Sequence, residues 1–466
     1  MTSSDLPQLT AALSSITGTS ISGSAIPGHA TPPSIHRRIW VIAFPAIMAN
    51  LTTVLPGLCD TAFIGRSGDA VEQAGVALGT AFTALTFWAF GFLRMGTTGI
   101  TAQANGARDV REMREALTWS LVLAGCIGLA LIMAAFPLAA VVLPLYGGSP
   151  QVQDYAAQYF HVRLLAAPFD LSLYAMMGWL IGMQRARVMF ALQLILNGLN
   201  IALCYLFVIH FDYDVVGVAT ATAVAQAVTA IVGFAWTRGI ARKLGPILAR
   251  GTTFAFEMLG RLAKINRDIF IRTLALMLVF NYFIHLSARQ EEVTLAANQI
   301  LIGFLGLIAN ALDGFAQSAE TLVGEAVGGK DRKRLSAALW ANLAWSLALA
   351  GVLSLVLWPV GQFLLAHFSA NAEVVATAQK VFPWVIVAPL VSVWCFLLDG
   401  VFIGATRGRE LRDGMLISAA LGLIALQFAF WFDGNAGLWA ALTLFFGIRA
   451  LPLAFWYRRI PAALGS

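Results

Sequence analysis

Twelve predominantly apolar stretches follow one another along this chain, at 39–62, 75–100, 117–143, 160–183, 188–210, 215–237, 269–288, 296–322, 336–366, 381–404, 414–432 and 436–457. A helix needs about 20 residues to cross ~30 Å of hydrocarbon, so each stretch is a candidate membrane span. In water these runs would need a polar coat, and the chain does not carry one. Its 466 residues are 59% hydrophobic and 12% charged, against roughly 45–50% apolar and about 25% charged in soluble domains. Soluble enzymes, secreted disulfide scaffolds and disordered chains are thereby excluded. What remains is an all-α polytopic membrane protein with twelve transmembrane helices. The eighth and ninth stretches exceed a simple span, which predicts tilt or extension beyond the bilayer.

The basic residues test this count, because short cytoplasmic loops collect Lys and Arg. With the N-terminus inside, 23 of the 30 Lys and Arg fall on the cytoplasmic side and Arg66, Arg289 and Lys380 on the other. Arg94, Arg163, Arg272 and Arg449 stay in or at the ends of spans. Both termini are therefore expected in the cytoplasm. The net charge of +6 reads as a topology signal that needs no nucleic-acid partner.

A shift of 222 residues superposes Gly178–Gly182, Arg185 and Arg187 on Gly400–Gly404, Arg407 and Arg409. It also carries Gly106 and Asp109 onto Gly328 and Asp331. Two six-helix bundles related by an internal repeat follow. Six is even, so both bundles enter from the same side and their axis runs along the membrane normal. The expected organisation is a disordered tail at 1–35, rich in Ser, Thr, Gly and Pro, a first lobe at 36–237, a cytoplasmic linker at 238–267, a second lobe at 268–460 and a short tail at 461–466.

Cys59, Cys126, Cys204 and Cys395 show no Cys-x-x-Cys spacing, which predicts neither a disulfide framework nor a metal site. There is no phosphate-binding loop of the G-x-x-x-x-G-K-[ST] type and no long soluble segment to hold an ATPase. An enzyme is not expected and no cofactor is implied; energy would come from an ion or substrate gradient.

Polar groups inside apolar spans are costly and mark function or packing. Asp60 ends the first span, and Pro45 lies 15 residues before it. An interior acid there is a natural proton carrier, since burial favours the neutral form; a wetted helix end is the alternative. Pro45 predicts a kink, as a hinge or a fixed bend. The eighth span carries Asn310, Asp313, Gln317 and Glu320 at spacings of 3, 4 and 3, which share one helical face. That face looks into a cavity or forms an interhelical seam. The fifth span carries the neutral stripe Gln193, Asn197, Asn200 and Cys204, suited to substrate or to packing. Asp399, with Trp394 nearby, is either a seat for a lipophilic cation or an acid paired with an arginine. Asp170 is a further in-span acid.

The segments Asp60–Gly65, Ala311–Ala316 with Glu320, and Leu398–Arg407 resemble the multidrug and toxic compound extrusion (MATE) family, and within it the bacterial DNA-damage-inducible F-type branch. The resemblance spans residues 36–460. It implies an inner-membrane efflux transporter in which protons, or sodium ions, enter as organic cations or amphiphiles leave. It also implies that Asp60 is the protonated acid, Pro45 the bending point of the first helix and Asn200 a lining residue of the first-lobe cavity. Cys204 stands where family members carry a companion acid, so Asp60 would act alone or with Asp313, Glu320 or Asp399. A monomer surrounded by membrane lipid is expected. A flippase for a lipid-linked or amphiphilic substrate is the nearest alternative; it would want a basic cavity, whereas the in-span charges here are mainly acidic.

Overall fold

The structure, a computed structural model, describes residues 34–53, 55–57, 69–211, 213–244, 255–368 and 371–464. Among these residues there are helices and connecting turns and no strands. In chain order the helices are α1 (Ile35–Thr52), α2 (Ala70–Ala89), α3 (Phe92–Ala107), α4 (Val110–Val142), α5 (Pro150–Leu165), α6 (Ala167–Gly182), α7 (Ala186–Cys204), α8 (Val215–Lys243), α9 (Ala255–Ala288), α10 (Glu292–Gly328), α11 (Arg332–Phe368), α12 (Ala372–Gly404), α13 (Gly408–Trp456) and the short α14 (Arg459–Ala462). Among the described residues ten helical stretches are long and apolar enough to span a membrane, and α5 with α6, bent by 55°, forms an eleventh. The last of the ten contains two crossings. Gly434 adopts φ 55° inside α13, and Gly414 and Gly422 then lie against Leu453 and Phe445 of the returning arm. Twelve crossings result.

The internal repeat is written into the coordinates. The starts of α2, α4, α5 and α7, at Ala70, Val110, Pro150 and Ala186, recur 222 residues later as the starts of α10, α11, α12 and α13, at Glu292, Arg332, Ala372 and Gly408. The capping chemistry repeats with them. Asp109 accepts the Glu112 N–H at 2.9 Å, and its counterpart Asp331 accepts that of Arg334 at 3.0 Å; Ser149 and Asn371 cap α5 and α12 in the same way. Such caps satisfy N–H groups that a helix start otherwise leaves without a partner. Among the described residues, the four non-glycine residues with positive φ form two repeat-related pairs, Arg108 with Lys330 and Gln184 with Thr406.

The two halves differ where the first is interrupted. α2 and α3 break at Phe90–Gly91, while the equivalent α10 runs unbroken through Leu312 and Asp313. Likewise α5 and α6 bend at Ala166, before Pro168, while α12 continues through its own Pro383 and Pro389. A proline lacks an N–H and crowds the preceding turn, so it permits a bend; neighbouring packing decides whether one forms. Here Gly128 of α4 leaves room against Pro168, and a side chain there would collide with its backbone.

Each lobe has its own core, and each lends half a helix to the other. Ile39, Ile42, Ala43 and Ile47 of α1 are buried with Phe315, Leu322, Leu335 and Val401 of the second half. Met258, Leu262, Ile265 and Ile269 of α9 are buried with Phe92, Leu93, Phe160 and Leu171 of the first half. Residues 255–267, expected within the linker, are therefore helical and continuous with the seventh span.

Candidate functional site

The lobes meet most closely on the side that carries the arginine clusters. A side chain at Gly106 would collide with the Glu325 backbone, and one at Gly328 with the Gln103 backbone. These two contacts exchange under the 222-residue shift. So do Gly99 against Ile403 and the hydrogen bond from Thr321 Oγ1 to the Ile181 carbonyl, at 3.2 Å. Glu325 accepts from Arg38 and from Gln184 Nε2, the latter at 2.6 Å. Gln103, its repeat mate, donates to the Gly404 carbonyl at 3.0 Å and to Thr406 Oγ1 at 3.1 Å. Arg261, salt-bridged to Glu112 at 2.5 Å, donates to Gln103 Oε1 at 3.2 Å. Small residues and paired polar groups thus close a two-fold seam on that side.

Deeper along α10 the seam becomes asymmetric. Asp313, Gln317 and Glu320 face Asn50 of α1 and Arg94 of α3. Gln317 Nε2 donates to Asp313 Oδ2 at 2.7 Å, and Asn50 Nδ2 lies 3.4 Å from the same oxygen. Asn310 takes part through its carbonyl, which accepts from Asn50 Nδ2 at 3.1 Å. Arg94 stands between the acids, with N–O separations of 3.8 Å to Asp313 and 3.4 Å to Glu320. Glu320 is 1% exposed, whereas the Asp313 side chain is 30% exposed. Gln317 Oε1 is buried and has no hydrogen-bond partner among the described residues. The acidic stripe read from the eighth span therefore faces the other lobe.

The neutral stripe of α7 is buried. Gln193 Nε2 donates to Asn197 Oδ1 at 3.0 Å, and Asn197 Nδ2 donates to the Thr52 carbonyl at the end of α1, at 2.8 Å. Asn200 Nδ2 donates to Thr222 Oγ1 at 2.7 Å, and its buried Oδ1 has no partner among the described residues. Cys204 is buried among Val76, Tyr159, Val218 and Ala219. Asp60 lies outside the described residues. Pro45 is buried within α1, which stays helical on both sides of it. Close by, α1 and α10 touch at Gly314, where a side chain would strike Ile47 and the Ala43 carbonyl.

Asp399 departs from the cation-seat reading. Its Oδ2 is salt-bridged to Arg272 and, at 2.7 Å, to Arg449, and all three groups are buried. Phe396, Phe445 and Phe446 surround the Arg449 guanidinium. Trp394 is exposed. The negative charge is thus met by two fixed cations, as the arginine-paired alternative requires. Asp170 and Arg163 are both buried, and Gln226 accepts from Arg163 at 2.5 Å. Arg94, Arg272 and Arg449 are thus salt-bridged to in-span acids, and Arg163 hydrogen-bonds Gln226.

Two participants, Asn50 and Arg94, were not singled out as site residues by sequence reasoning. Periodicity places residues on a face but does not say which helix stands opposite. The available signal was charge balance, since four arginines and the four acids Asp170, Asp313, Glu320 and Asp399 all lie within apolar spans, mostly different ones.

Comparison with known proteins agrees with this architecture. The MatE family profile matches residues 45–206 and again 269–432, once in each half. The chain is 36% identical to DNA damage-inducible protein F of Escherichia coli (strain K12) over 426 residues, covering 91% of this chain and 93% of that protein. It is 27% identical to a probable multidrug resistance protein NorM of Rhizobium meliloti (strain 1021), over 89% of this chain and 88% of that one. Among solved structures, an outward-facing multidrug resistance MATE family transporter of the MOP superfamily superposes with a TM-score of 0.83 at 18% identity, covering 93% of this chain and 97% of the other.

Proposed function

The chain belongs to the MatE family of transporters, and from that premise we propose that it is a secondary active exporter exchanging protons for organic cations. The observation that carries this reading is the acid pair Asp313 and Glu320, set in the interface between the lobes with only one arginine beside them. Two carboxylates against one guanidinium leave a local excess of one negative charge, opposite in sign to the excess that Arg272 and Arg449 leave around Asp399, and a proton or a monovalent cation can bind at the acids. Arg272 and Arg449 are both held by Asp399 and Arg163 by Gln226, so among the described residues no in-span arginine is left without a polar partner to await a lipid phosphate. This favours a cationic cargo over the flippase reading.

Placing the arginine-rich seam in the cytoplasm of a bacterial inner membrane, the lobes are closed inward and the substrate path faces out. In the proposed cycle a proton from outside neutralises Asp60, substrate leaves, and the lobes part at the seam to take up new substrate as the proton is released inside. Sodium is the alternative coupling ion. One charge is worth ~2.3 kcal/mol per 100 mV, and each unit of pH difference about 1.36 kcal/mol. A monovalent cation exchanged for one proton is electroneutral and draws on the pH difference alone.

The test is export of ethidium from proteoliposomes under an imposed pH gradient, with and without sodium, for wild type and Asp60→Asn. Export that follows the pH gradient, saturates, and is lost in the mutant is the expected result. Undiminished export by Asp60→Asn would remove that residue from the coupling role.

A further inference from the structure

Beyond Arg38–Glu325 and Arg261–Glu112 of the arginine-rich seam, the described ion pairs that join the lobes are those of Arg94, deeper along α10. Arg272 and Arg449 hold Asp399 within the second lobe, and Arg163 hydrogen-bonds Gln226 within the first. Arg94 projects from α3 of the first lobe toward Asp313 and Glu320 on α10 of the second. Its separations of 3.4 and 3.8 Å exceed the ~2.7–2.9 Å of a charge-assisted hydrogen bond, whereas Arg449 reaches Asp399 at 2.7 Å. Arg94 therefore holds Glu320 by one long hydrogen bond and Asp313 by charge alone, a looser tie between the lobes than the Asp399 cluster makes within one. On α1, Asn50 supplies a neutral amide.

We propose that Arg94 is a resident counter-cation that competes with transported cations for Asp313 and Glu320, and that it is withdrawn and returned by the motion of the lobes. This rests on the exporter reading above and deepens it. With Arg94 in place, the pair lacks one positive charge. When the lobes part at the arginine-rich seam, α3 carries the guanidinium away from α10 and the deficit rises to two. The seat then binds a cation tightly from that side. On closure the arginine returns, and repulsion between like charges in a site of low dielectric drives the cation toward the opposite side. The sequence places this switch where the repeat is broken, since Asp313 and Glu320 correspond to Gly91 and Thr98, and Arg94 to Ala316. One lobe thus holds the acids and the other the competing cation.

The experiment measures ethidium affinity by fluorescence anisotropy on the purified full-length protein. Arg94→Gln should tighten binding roughly tenfold or more, Arg94→Lys should stay near wild type, and adding Glu320→Gln to Arg94→Gln should remove the gain. Unchanged or weaker ethidium binding by a folded Arg94→Gln protein overturns the proposal. A second readout needs no substrate. Nitroxide labels at positions 111 and 333, exposed on the two lobes, should show a longer-distance population in Arg94→Gln that Arg94→Lys lacks. If ethidium binds none of the proteins, the choice of substrate class has failed, and the label distances alone decide the role of Arg94; superimposable distributions refute it. Should Arg94→Gln not fold, the double variant Asp313→Asn with Glu320→Gln must both lose ethidium binding and open the seam, and no change in either would refute the role equally.

Discussion

The two lobes share a frame and differ in chemistry. On the arginine-rich side, repeat-related residues make repeat-related contacts: Gly106 with Glu325 and Gly328 with Gln103, Gly178 with Arg94 and Gly400 with Ala316, Gly182 with Thr98 and Gly404 with Glu320. In each case a glycine lets a helix press against a backbone carbonyl of its neighbour, a close approach that small residues permit in membrane bundles. Midway through the molecule the correspondence fails. The first half breaks its helix at Gly91, where the second places Asp313 in an unbroken one. The first half presents an amide stripe on α7, and the second presents acids on α10. Symmetry therefore governs how the lobes close, and asymmetry governs what they can bind.

The largest effect that would break this comparison is at Asp399. Its removal by Asp399→Asn leaves Arg272 and Arg449 buried without a counter-charge, a change worth about 3–5 kcal/mol when one partner of a buried pair is lost. Thermal unfolding in detergent should show a large loss of stability in this variant. Stability close to wild type would mean that the arginines find other partners and that the cluster is not the fixed centre of the second lobe.

A smaller effect sharpens the symmetry itself. Gly178→Leu and Gly400→Leu each force a side chain into a backbone carbonyl of the adjacent helix, an overpacking cost of roughly 1–3 kcal/mol. Because the contacts are repeat-related, the two variants should lower the unfolding temperature by similar amounts. A large loss in one and none in the other would show that the lobes are packed to different tolerances despite matching geometry.

The apolar runs and the 222-residue repeat made the twelve crossings and the two lobes legible before any coordinates. Boundaries were lost where amphipathic helix extends past the hydrocarbon. The start of α5 carries Gln151, Gln153, Asp154 and Gln158, and the start of α9 carries Arg261, Lys264 and Arg267, so neither read as part of a span. The exchange of half-helices between lobes could not be read at all, because apolar faces do not name their partners. Within the site, the spacing of Asn310, Asp313, Gln317 and Glu320 identified a shared face. The guanidinium opposite it comes from a residue 219 positions before Asp313, a distance over which no local pattern operates. For Asp399 both readings were open, and three-dimensional proximity to Arg272 and Arg449 selects between them.

The central claim is that the two-fold seam must open for transport. Cysteines introduced at Gln103 and Thr406, whose side chains meet across it at 3.1 Å, can be joined in proteoliposomes by a bifunctional thiol reagent with a reducible spacer, tying the lobes together. Proton-driven ethidium export should stop on cross-linking and return on reduction. Undiminished export by fully cross-linked protein would contradict the account.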